Sequence, residues 1–164
     1  MRTTLILAVA SLAFGLANPA LAAGGGGGGA DSPPSRPAKP VDANFAQGKA
    51  LVEAKRYQEA MPYLQQAAAS DPKNADAYNL MGYATRKSGN ANGSLQYYNQ
   101  ALAIDPKHLG AHEYIGEAYL QLDRPQEAQQ HLARLDSLCT FGCTEYRMLK
   151  AAIADYKAGR KPTN

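Results

Sequence analysis

Between residues 75 and 87, "ADAYNLMGYATRK" places Tyr78, Met81, Gly82 and Thr85 three or four positions apart. That spacing gathers them on one stripe of a helix, with polar side chains on the other side. Residues 91–103 repeat the pattern with Leu95, Tyr98 and Leu102. Between the two runs, Ser88-Gly89-Asn90 stops the first helix. Gly89 suits the left-handed residue of a helix C-terminal cap. Asp105-Pro106 then turns the chain. The same reading carried outward predicts helix pairs at 43–54 with 57–69, 75–87 with 91–103, and 109–121 with 125–137. Pro125 falls at the first position of its helix, where a missing N–H breaks no bond. Pro62 falls inside the helix of 57–69 and is expected to bend it. A seventh helix is predicted at 144–158, with Tyr146, Leu149, Ile153 and Tyr156 on one face and charges on the other.

These pairs are copies of one unit. Gly48, Gly82 and Gly116 are evenly spaced, and Ala60, Ser94 and Ala128 keep the same spacing in a second register. "AASDPKNADAY" at 68–78 returns as "LAIDPKHLGAH" at 102–112. A period of about 34 residues, with two helices per unit, predicts an all-α solenoid. No unit buries its apolar face alone, so neighbours stack. Small residues at fixed registers let paired helices approach closely.

The pattern resembles the tetratricopeptide repeat family over about residues 41–142. The second unit carries the resemblance best, with Tyr78, Met81-Gly82, Thr85, Ser94, Tyr98, Ala101 and Pro106. The third supplies His112, Ile115-Gly116, Tyr119, Ala128, Leu132 and Leu135. The first departs most, with Asn44 and Gln47 where larger apolar residues belong, before Gly48, Leu51, Ala60, Leu64, Ala67 and Pro72. The resemblance implies repeats at about 41–74, 75–108 and 109–142, closed by a capping helix at 144–158. It also implies a protein-interaction module whose first helices line a concave groove. By register the groove holds Phe45 and Lys49, then Asn79, Tyr83 and Arg86, then Glu113 and Glu117. Basic side chains dominate its middle and acidic ones its third unit, which suits an extended peptide of mixed charge. One subset of the family grips a peptide's terminal carboxylate. Those registers hold Phe45, Lys49, Leu80, Gly110 and Tyr114 here, and only Lys49 has suitable chemistry, so that mode is not expected.

The chain's first residues change the compartment. Arg2 precedes an apolar run from Thr4 to Ala17, shorter than the ~20 residues a membrane span needs, and Ala20-Leu21-Ala22 offers a cleavage site. Residues 1–22 therefore read as a cleaved signal peptide, and the protein as periplasmic or secreted. Residues 23–40, with six glycines and then four prolines, read as a disordered linker. No further membrane segment is expected.

Cys139 and Cys143, in "CTFGC", replace the Asp-Pro turn that ends the earlier units. In an oxidising compartment a pair at this corner reads as a disulfide that fixes the capping helix, with Gly142 free to take a positive φ. The rival reading is a thiol-redox or metal-handling protein using both cysteines and the nearby His108, His112 and His131. Redox pairs are normally two residues apart and sit at a helix N-terminus. Here three residues intervene, and Cys139 ends a helix. A net charge of +3 is too small to argue for nucleic acid. No nucleophile motif, metalloprotease motif or haem attachment site is present, so no enzyme and no cofactor is expected. The expected protein is a monomer with an unknown protein or peptide partner.

Overall fold

A computed structural model describes residues 42–162. The expected leader at 1–22 and linker at 23–40 lie outside the described residues. Seven helices follow one another: α1 (Ala43–Glu53), α2 (Tyr57–Ser70), α3 (Ala75–Lys87), α4 (Ala91–Ile104), α5 (Leu109–Gln121), α6 (Pro125–Leu138) and α7 (Thr144–Lys157). Among the described residues there is no strand. The architecture is an all-α solenoid of three helix pairs and a closing helix. α2 runs unbroken through Pro62, whose exposed position leaves the unpaired carbonyl of Gln58 to solvent.

Short polar side chains start the helices. Asp42 accepts from the amides of Asn44 and Phe45 at 2.8 and 3.0 Å. Asn74 accepts from Ala77 at 3.0 Å and Asn90 from Gly93 at 2.8 Å. His108 does the same through Nδ1, 3.1 Å from the Ala111 amide. Each satisfies an N–H that the first turn leaves without an intrahelical partner. α2, α6 and α7 have no such cap, and α2 and α6 begin instead beside the pairs Arg56–Glu59 and Arg124–Glu127.

The corner inside every pair is one motif. Lys55, Gly89 and Asp123 all have positive φ, at 60°, 94° and 58°. In each case the following residue donates back to the helix: Arg56 to Leu51, Asn90 to Thr85 and Arg124 to Tyr119. This is the Schellman closure, which normally takes glycine. Only the middle unit has one.

Packing explains the small-residue registers. A Cβ on Gly48 would lie 2.7 Å from Leu64, and one on Gly82 2.6 Å from the Tyr98 ring. Ala60, Ser94 and Ala128 are wholly buried where the paired helices touch. The third unit closes differently: a Cβ on Gly116 would strike Leu149 of α7 at 2.6 Å. The closing helix thus wedges Leu149 and Ile153, both buried, against α5 and α6. Beyond it, Lys161 pairs with Asp123, and Gln121 Nε2 donates to the Pro162 carbonyl at 3.2 Å.

Candidate functional site

The first helix of each unit, α1, α3 and α5, carries the row expected to face a ligand. α1 presents Lys49, which is 57% exposed and 3.9 Å from Glu53, a loose ion pair that water competes for. Phe45 is only partly exposed and packs against the apolar cluster of the first two units. The middle of the row is built very differently from an open charged surface.

Arg86, on the last turn of α3, is 1% exposed. Its Nη2 lies 2.6 Å from Glu117 Oε2 on α5, and its Nε donates to Tyr98 Oη at 3.4 Å. The guanidinium also lies over two rings, 5.5 Å from the centre of Tyr83 and 5.9 Å from that of Tyr114. Arg86 and Glu117 therefore neutralise each other across two units. The expectation of a basic middle facing an acidic third unit is corrected here: the two signs are spent inside the protein. A guanidinium survives burial only with a close carboxylate and further acceptors, and this site supplies both.

The tyrosines form a continuous ladder across the units. Tyr57 meets Tyr83 edge to face at 6.0 Å, Tyr83 meets Tyr114 at 4.8 Å, and Tyr114 meets Tyr98 at 6.4 Å. Burial holds the Tyr98 phenol far above its ordinary range and pushes that of Tyr114 up to about 12. Both stay neutral. At the exposed end of the ladder lies a cavity of about 320 Å³ between α1 and α3. Val52 and Leu80 give it an apolar wall, Tyr57, Tyr83 and Tyr114 an aromatic one, and Lys49, Lys55 and Glu53 its charges. Of the residues expected from sequence, the structure brings Lys49 and Tyr83 together here. Tyr57, Lys55 and Tyr114 were missed as pocket residues. Tyr57 and Lys55 lie outside the first-helix registers used to list the groove. Tyr114 lies one residue off the stripe that carries Glu113 and Glu117.

Asn79 and Glu113 are buried, at 6% and 3% exposure, instead of solvated. Burial first, then the nearby Glu117 and Glu145, pushes the Glu113 carboxyl up to about 8.

The cysteines and histidines settle at the other end. Cys139 caps the end of α6 and Cys143 the start of α7. Their Cα atoms are 5.5 Å apart, in disulfide-forming geometry, and Gly142 has φ of 75°. The histidines do not converge. His108 Nε2 lies 3.0 Å from Asp76, whereas His112 Nδ1 lies 2.9 Å from His131 Nδ1. His112 Nε2 donates to the Pro106 carbonyl at 3.1 Å. Its Nδ1 is then the acceptor for the His131 proton. Among the described residues, no three His, Cys, Asp or Glu side chains gather as metal ligands would.

Two tetratricopeptide repeat models match, over residues 45–108 and 85–153. No curated protein matches the sequence. Among solved structures, MamA from residue 41 to its end, of Desulfovibrio magneticus RS-1, is 26% identical with a TM-score of 0.56. The match covers 58% of this chain and 54% of that one. MamA AMB-1 is 25% identical, TM-score 0.54, over 58% and 56% of the two chains. The chain thus spans little more than half the length of these MamA structures. The first repeat domain of Spaghetti (RPAP3), bound to the HSP90 peptide SRMEEVD, is 19% identical with a TM-score of 0.62. That match covers 70% of this chain and 93% of that one, and it shows the fold alone. With the two models together spanning residues 45–153, the chain belongs to the tetratricopeptide repeat family, a fold of protein-interaction modules.

Proposed function

We propose that this domain is a non-enzymatic docking module of the periplasm or the secreted medium, taking a peptide or protein segment along its concave row. The observation that carries the reading is the tyrosine-walled cavity at Lys49, Val52, Leu80, Tyr83 and Tyr114. It has the size and lining for one apolar or aromatic side chain, and Lys49 at its rim favours an acidic neighbour in the ligand. Tyr83 and Tyr114 are already fixed against Arg86, so they act as anchors without a large ordering cost on binding. One fold neighbour is described with a bound HSP90 peptide. The segment proposed here differs from a carboxylate-ended peptide, because Phe45, Leu80, Gly110 and Tyr114 stand at the carboxylate registers. The apolar run at the start of the chain supports export, and export supports a structural bridge between Cys139 and Cys143.

A displayed-peptide selection on the full chain tests the reading. Selected peptides should lose at least tenfold in affinity with Tyr83→Ala. They should also weaken with Lys49→Glu, a solvated change that leaves the fold alone, and be indifferent to Tyr63→Ala on α2. Binding that survives both Tyr83→Ala and Lys49→Glu would move the site to another surface.

A further inference from the structure

Asn79 on α3 and Glu113 on α5 stand at the same register of adjacent units. Both are more than nine-tenths buried. Neither Asn79 Oδ1 nor Glu113 Oε1 has a hydrogen-bond partner. Orphaned buried polar atoms are rare in native proteins and call for an explanation. Asn79 Oδ1 is an acceptor, and Glu113 Oε1 becomes one when the carboxyl ionises, so what the ionised site lacks is donors.

The surroundings set the sign of the charge that would supply them. Glu117 on α5 and Glu145 on α7 both act on Glu113. Arg86 on α3 is the cation that reaches it, and Arg86 is held by Glu117 and Tyr98. Glu113 answers by keeping its proton at neutral pH. Asn79 lies beside the first turn of α5, where a Cβ on Gly110 would come 3.3 Å from its Nδ2. Gly110 is one helical turn before Glu113 on the same helix.

We infer that Asn79 and Glu113 form a cation subsite of the concave row, taking the guanidinium or ammonium of a Lys or Arg side chain in a bound segment. The inference rests on the docking reading above and adds the charge class of the ligand. Guanidinium suits the site best, because it holds its charge at every pH and offers several donors in a rigid planar fork. The proton balance is simple. The entering cation replaces the proton on Glu113, which leaves to solvent, so the buried site exchanges one positive charge for another.

The probe is Nα-acetyl-arginine amide, titrated into the full chain, with Nα-acetyl-citrulline amide as the uncharged isostere. Calorimetry gives affinity, and the Asn79 side-chain amide signals in NMR give location. Saturable binding is expected with a dissociation constant of about 1 mM, at least tenfold tighter than for the citrulline amide. Affinity should rise at least fivefold from pH 6.5 to 8.5 as Glu113 becomes easier to ionise. Buffers of different ionisation heat should report proton release on binding near pH 7. Glu113→Gln should abolish both the pH dependence and the preference for arginine. Should that variant not fold, the wild-type pH dependence and Asn79→Ala, expected to bind severalfold more weakly, decide in its place. Equal binding of the two amides, affinity that falls as pH rises, or signals moving only far from Asn79 would overturn the inference. Peptides that dock at Tyr83 with no need for Lys or Arg would overturn it too, while leaving the docking reading standing. If no peptide binds the row at all, both fail.

Discussion

Arg86 and Glu117 offer a sharp test of how the concave row is built. Three variants suffice: Arg86→Met, Glu117→Gln and the two together. Arg86 is 1% exposed, whereas the Glu117 side chain keeps 18% of its surface. Glu117→Gln takes the counter-charge from a buried guanidinium and leaves it neutral acceptors, the new amide oxygen and Tyr98 Oη at 3.4 Å. Breaking one side of a buried pair costs about 3–5 kcal/mol, and the partial access of water to this carboxylate argues for about 3 kcal/mol. Arg86→Met leaves a carboxylate that water reaches, and a methionine still packs on Tyr83 and Tyr114. Its cost should be about 1–2 kcal/mol. The double variant removes both charges and should fall within about 1 kcal/mol of wild type, so the coupling energy is about 3–5 kcal/mol. Urea unfolding followed by far-ultraviolet circular dichroism reads this directly. Glu117→Gln should lower the midpoint by about 1–2 M with little change in slope. Two small, additive effects, each within about 0.5 kcal/mol, would refute the reasoning. They would mean that the guanidinium swings free into the groove.

Three further outcomes follow from the packing. Gly82→Ala drives a Cβ into the buried Tyr98 ring and should cost about 1–3 kcal/mol in thermal unfolding, more than Gly89→Ala at its exposed cap. Lys55→Gly should stabilise by about 0.5–1 kcal/mol in the same assay, because it relieves a positive φ at an exposed position. Burial, then His112, holds His131 down at about 4. A lowered histidine takes its proton more readily when unfolded, so this stability is present above about pH 6.5 and drains as pH falls toward 4. The melting temperature should drop between pH 7 and 4.5, and the drop should shrink in His131→Phe.

The helix order and the solenoid were legible because they rest on spacing. One register of glycines and one of small residues, each returning once per unit, determine which helices pair and how closely. The corners were legible only where the residue advertised its conformation. Gly89 announces a left-handed cap, whereas Lys55 and Asp123 adopt the same conformation without the composition for it. Yet each stands one full repeat from Gly89, so the repeat carried the signal that residue type withheld. Leu149 over Gly116 was not legible in that way. It comes from the closing helix, and the unit's own second helix was the expected source.

The same lesson explains the row of side chains at the site. Arg86 reads as a groove cation if charge is taken as a sign of exposure. Its register neighbours say otherwise: Val52 and Leu120, one repeat to either side, are buried apolar residues. Register decides burial, and residue type decides what must be brought in to make burial tolerable. For Arg86 the protein brings Glu117, Tyr98 and two aromatic rings, and the charge disappears from the surface. For Asn79 and Glu113 it brings no donor to the orphaned oxygens, and the need is left open. A concave face that satisfies its own strongest charges cannot select a ligand by bulk electrostatics. Selection then falls to the shape of the tyrosine-walled cavity and to the few polar atoms still unpaired.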